Sequence, residues 1–132
     1  MKATTVFAVA ALIVASALAP PATLAQQGIK RTDLMRHDLS VPGREVIQVL
    51  VAFAPGVAFP KHSHPGEELV YVVEGSIEYA LEGREPVTLR AGEVLFIPAG
   101  TPHSAKNVGS GNAAEIATYL VEKGKPVLSL AK

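Results

Sequence analysis

From Glu45 onward the chain is a series of short β-branched and apolar runs cut by glycine and proline. EVIQVLVAFAPG runs to Pro55-Gly56, ELVYVVEG to Gly75 and SIEYALEG to Gly83. PVTLRAGE, VLFIPAGTPH and NAAEIATYLVE follow. In SIEYALEG the apolar residues Ile77, Tyr79 and Leu81 alternate with polar ones, the period-2 signature of a half-buried strand. Turn signals about eight to twelve residues apart predict an all-β sandwich or barrel, and no segment after residue 25 shows sustained helical periodicity.

The N-terminal segments break this pattern. Val6 to Leu18, VFAVAALIVASAL, is apolar, preceded by Lys2 and followed by small residues. That layout predicts a secretory signal peptide over residues 1–25, cleaved after Ala25, and a secreted or periplasmic protein with no membrane association after cleavage. The apolar stretch is short of the roughly 20 residues a membrane span needs. Residues 26–44 are a polar lead-in in which Asp33, Leu34 and Met35 fit either a short helical turn or an edge strand. Residues 45–132 then form one barrel domain.

Composition removes several function classes. The formal net charge is zero, which gives no basic face for nucleic acid. There is no cysteine, so neither a disulfide framework nor a thiolate zinc site can form.

The chemistry concentrates in HSHPGEE, residues 62 to 68. Residues two apart on a strand share a face, so His62 and His64 point together. Glu68 has their parity and Glu67 the opposite one, provided the Pro65-Gly66 step does not reset the register. Glu68 is then a ligand candidate and Glu67 a surface acid. An inward carboxylate beside two imidazoles calls for a compensating cation, and that donor set suits Fe, Mn, Zn, Ni or Cu. A cluster of solvated surface residues is the other reading of these residues alone. Downstream, GEVLFIPAGTPHSAKN adds His103 behind a proline-rich turn.

Gly56-x5-His62-x-His64-x3-Glu68-x6-Gly75 resembles the first motif of the cupin family. Gly92-x5-Pro98-x-Gly100-x2-His103-x3-Asn107 resembles its second. The resemblance implies a small antiparallel jelly-roll β-barrel. It makes His62, His64, Glu68 and His103 the ligands of one divalent transition metal ion, iron or manganese first, with nickel, copper and zinc as alternatives. Gly56, Gly75, Gly92, Pro98, Gly100 and Asn107 become structural positions. It also implies a homodimer, with residues 29–41 available to the interface.

The family hosts many functions, so activity stays open between three readings. The first is a metal-dependent enzyme resembling quercetin-dioxygenase-like cupins, acting on a small, weakly charged substrate. The second is a metal-dependent isomerase or lyase. The third is a non-catalytic module that binds the metal or a small molecule. The expected site wall is apolar, from Leu69, Val70, Val72, Val94, Leu95, Phe96 and Ile97, with no inward acid, base or arginine beyond the ligands. His37 reads as a surface residue, Met35 as packing, Tyr71 and Tyr79 as strand packing, and Arg44, Glu45, Lys123 and Lys125 as solvated charges.

Overall fold

The computed structural model describes residues 27–131, so the expected signal peptide lies outside the described residues. Ten strands run β1 (Ile29–Asp38), β2 (Arg44–Phe53), β3 (Ala58–Ser63), β4 (Glu67–Glu74), β5 (Ser76–Leu81), β6 (Val87–Arg90), β7 (Val94–Ile97), β8 (His103–Asn107), β9 (Ala113–Glu122) and β10 (Ser129–Leu130). They form two five-stranded antiparallel sheets, ordered β1-β2-β9-β4-β7 and β10-β3-β8-β5-β6. This is the expected all-β jelly roll.

Strand alternation builds the interior. Along β2 every second residue from Glu45 to Phe53 is buried, and β5 and β9 repeat the pattern. Val51, Phe53, Val72, Ile77, Ala113 and Val121 are among the buried residues that form the apolar core. Most of this burial is apolar, worth about 25 cal/mol per Å² removed from water.

The lead-in is a strand. β1 pairs with β2 from Ile29↔Phe53 to Asp38↔Glu45, with a bulge between Asp33 and Met35. Its edge position explains why its sequence carries charges and no clean alternation: a charged, bulged edge resists pairing with other chains.

Two close approaches fix the parts around the site. The Pro65-Gly66 turn lies against β9 so tightly that a Cβ on Gly66 would sit 1.9 Å from the Leu120 carbonyl oxygen. Gly75 has φ +72°, and a Cβ there would meet the Asn112 carbonyl at 2.5 Å. Asn107 is buried and ties down the loops beside it. Its amide donates to Phe53 O, Ala54 O and Gly111 O, and its Oδ1 accepts from Gly109 N. That is a structural role, as the motif implied.

Candidate metal centre

The turn at Gly66 preserves the register, so Glu68 enters the barrel and Glu67 does not. Glu68 is buried, whereas Glu67 is half-exposed and pairs with Arg44 at 3.2 Å. His62 and His103 are directly opposite each other on β3 and β8. His64 follows the end of β3. The imidazole rings of His62 and His103 are 4.2 Å apart, those of His62 and His64 4.9 Å, and those of His64 and His103 5.2 Å. All three histidines are buried, and one ligand atom from each lies within 4.8 Å of the others. The three form a group that can hold a metal ion.

Backbone carbonyls set the tautomers. His62 Nδ1 is 2.8 Å from Pro60 O, His64 Nδ1 is 2.6 Å from Val127 O, and His103 Nδ1 is 2.9 Å from Thr101 O. A carbonyl only accepts, so each Nδ1 carries the hydrogen. In the neutral rings Nε2 is therefore the bare nitrogen. Second-sphere carbonyls commonly orient metal-ligating imidazoles in this way.

Glu68 Oε2 stands 3.1 Å from His64 Nε2 and 3.1 Å from His103 Nε2. His64 Nε2 and Glu68 Oε2 are both buried with no properly directed hydrogen bond. Lone pairs facing a carboxylate at this range repel unless a cation lies between them. A divalent ion supplies that charge, and two or three imidazoles with one carboxylate are donors a transition metal accepts.

The electrostatics agree. Burial pushes the Glu68 carboxyl up, but His103 and His64 outweigh it and hold it at about 2. Burial and then the neighbouring His103 depress His62 to about 4, so it is neutral over the physiological range. For His103 burial also works downward, but the Glu68 contact prevails and raises it. Protons and a metal ion would compete for the same imidazole nitrogens, so occupancy of such a site would fall at acid pH.

Three further side chains reach this interior. Tyr119 places its ring 4.5 Å from that of His64, and its hydroxyl is 3.5 Å from Arg31 Nη2. Glu115 is buried and accepts a hydrogen bond from the Tyr79 hydroxyl. Burial first, and the Glu68 charge second, raise the Glu115 carboxyl to about 8. Burial likewise raises both tyrosines.

Glu115 overturns the expectation of no inward acid beyond the ligands, whereas Arg31 is exposed and reaches Tyr119 only from the edge strand. A signal for Glu115 and Tyr119 existed: both share the parity of Ala113, Ala117 and Val121 in NAAEIATYLVE. The opposite parity, Ala114, Ile116 and Leu120, is also mostly apolar, which hid the inward face. Other expectations change for the same reason. Leu69, Val94 and Phe96 are 43%, 68% and 55% exposed and lie on the outer face, leaving Val70, Val72 and Ile97 inside and Leu95 half-buried. Glu45 is buried rather than solvated, with Arg36 Nε at 3.3 Å. Arg44 is likewise committed, to Glu67 and the Leu120 carbonyl. His37 is exposed, and Lys123 and Lys125 pair with Asp38 and Glu122 at the surface.

Comparison with known proteins places this architecture. The family profile described as the cupin domain matches residues 49–125. A dimethylsulfoniopropionate lyase, DddQ, of Ruegeria pomeroyi is 37% identical over 57 residues, covering 42% of this chain and 28% of that protein. Germin-like protein 1-1 of Oryza sativa subsp. japonica is 36% identical over 88 residues, covering 61% of this chain and 41% of that protein. Among solved structures, a recombinant oxalate oxidase in complex with glycolate is similar with a TM-score of 0.64 and 26% identity, over 81% of this chain and 57% of that one. The chain thus spans well under half the length of these two curated relatives. The matched profile spans β2 to β9 and contains all three histidines and Glu68, and on that ground the chain belongs to the cupin-domain family.

Proposed function

We propose that the protein is a metal-dependent enzyme in which His62, His64, Glu68 and His103 hold one divalent transition metal ion. The carrying observation is the convergence of three carbonyl-oriented imidazoles on a buried carboxylate that has no directed hydrogen-bond partner. When bound, a redox-active ion of this kind, iron or manganese foremost, supplies the means to activate O₂ beside a substrate, the dioxygenase-like reading. The chain's own residues do the rest. The imidazoles and Glu68 fix the ion, and Val70, Val72 and Ile97 keep the surrounding wall dry. Tyr119 packs on His64, and Glu115 retains a proton at neutral pH. The similarity to oxalate oxidase supports an oxidative reaction. In the same proposal the protein acts outside the cytoplasm after removal of residues 1–25.

A second reading, a lyase, is favoured by the similarity to dimethylsulfoniopropionate lyase. There the ion would act as a Lewis acid and need no O₂.

Elemental analysis of protein purified without added metal tests the first claim. About one equivalent of transition metal is expected, and it should disappear in His62→Ala/His64→Ala. Full metal content in that double variant would overturn the ligand assignment. Oxygen-uptake screening of small aromatic, enol and acid substrates then separates the readings. Turnover lost under strict anaerobiosis supports oxidation, and turnover that persists supports the lyase.

A further inference from the structure

Near the histidine cluster, the edge of one sheet and the segment leading into β10 border an open cavity of about 430 Å³. Its wall includes Arg31, Asp33, Arg36, Ile47, Val49 and Val127. Arg31 and Asp33 are opposite Val51 and Val49 across β1 and β2, and Arg36 is opposite Ile47 beyond the bulge. These charged residues stand opposite buried β2 residues but are themselves exposed, so they form the rim of the cavity while Ile47 and Val49 form its floor. The cavity is the size of a small-molecule site, with an apolar floor and a few polar groups.

Two links join the cavity to the histidine cluster. Val127, in its wall, gives its carbonyl to His64 Nδ1. Arg31, also in its wall, contacts the hydroxyl of Tyr119, whose ring packs on His64. A molecule in the cavity is thus next to the residues that position His64.

The charges in the wall are unequal. Arg36 is committed to Glu45 at 3.3 Å. The polar contact of Arg31 is the Tyr119 hydroxyl at 3.5 Å, a long and neutral one, and its guanidinium lies 6.0 Å from the centre of that ring. Among the described residues no ion pair engages Arg31. Its planar fork is the natural partner of a carboxylate, bound through two parallel hydrogen bonds. Asp33 and Glu45 sit on the same side and disfavour a second negative charge.

We infer that this cavity takes a small organic monocarboxylate, anchored on Arg31, with its carbon skeleton on Ile47 and Val49 and directed toward Tyr119 and His64. Calling that acid a substrate rests on the metal-enzyme reading above; the carboxylate site itself does not. The inference narrows the small, weakly charged substrate expected from sequence to one carrying a single carboxylate, because Arg31 comes from the lead-in strand and reaches the cavity only through pairing of β1 with β2.

Propanoate and its neutral isostere propanamide serve as probes, titrated by NMR into the metal-loaded protein, the chelator-stripped protein and His62→Ala/His64→Ala. Propanoate should bind all three, and more tightly than propanamide. Arg31→Gln should weaken propanoate about tenfold, the loss of a charge-assisted hydrogen bond, with propanamide unchanged. Arg31→Lys should fall between them. Asp33→Asn should improve the dicarboxylate malonate relative to propanoate. The site is refuted if Arg31→Gln leaves propanoate affinity intact, if the amide binds as well as the acid, or if no propanoate binding is detected at tens of millimolar. Propanoate binding that vanishes with the metal also refutes it, placing the carboxylate on the ion. Retention of metal by the double histidine variant would instead sink the ligand assignment and leave the Arg31 result standing.

Discussion

Glu115 offers the sharpest quantitative test of how this interior is built. It is buried, accepts from Tyr79, and has its carboxyl raised from the usual 4.5 to about 8, by burial first and Glu68 second. The folded protein therefore holds a proton that the unfolded chain has released anywhere between those two values. A raised pKa gives stability that is fully present below pH 4.5 and is lost as pH rises through about 8. Each pH unit in that window costs about 1.4 kcal/mol, so the whole window is worth about 5 kcal/mol as an upper bound. Glu115→Gln keeps the shape and a neutral amide but cannot ionise, so it should lack this slope. The assay is urea unfolding of chelator-treated wild type and variant from pH 5 to 9. His62 is depressed and contributes the opposite slope as pH rises from about 4, while raised His103 adds to the loss above its usual range. His62 is common to both proteins and drops out of the difference between the two curves, whereas Glu115 is itself the smallest influence raising His103, so removing it trims the His103 loss in the same direction as the Glu115 slope. The wild type's stability relative to the variant should fall steadily as pH rises to 8 and then level off. Parallel curves would show that Glu115 is not held protonated and that the interior is more polar than its packing implies.

Two further expectations concern the turns that frame the site. Asn107→Ala removes donors to three backbone carbonyls and an acceptor for Gly109 N, all in a buried setting, and should cost about 2–4 kcal/mol in a denaturant melt. A cost under half a kcal/mol would mean water replaces the amide freely. Gly66→Ala brings a methyl within 1.9 Å of the Leu120 carbonyl, so the turn must move away from β9. Because Glu68 takes its inward register from that turn, metal content should fall together with melting temperature; normal metal content in a destabilised variant would uncouple the turn from Glu68.

Strand alternation and turn punctuation made most of the architecture legible in the sequence. SIEYALEG puts Ile77, Tyr79 and Leu81 on the apolar face of a half-buried strand by its pattern alone, and all three are buried. The two glycine-framed motifs did the same for the histidines and Glu68, since motif spacing encodes which residues the strands bring together. Three things required the tertiary structure. β4, β7 and β9 are apolar on both faces, so a period of two could not say which face was inside, and Leu69, Phe96, Glu115 and Tyr119 depended on sheet pairing to choose. The imidazoles are oriented by backbone carbonyls of Pro60, Thr101 and Val127, atoms every residue carries and no residue type reveals. Arg31 is 88 residues from Tyr119, and an exposed arginine in a polar lead-in acquires chemical meaning only when β1 docks on β2 and carries it to the cavity beside His64. Local pattern fixes which residues alternate; long-range pairing decides what each of them faces.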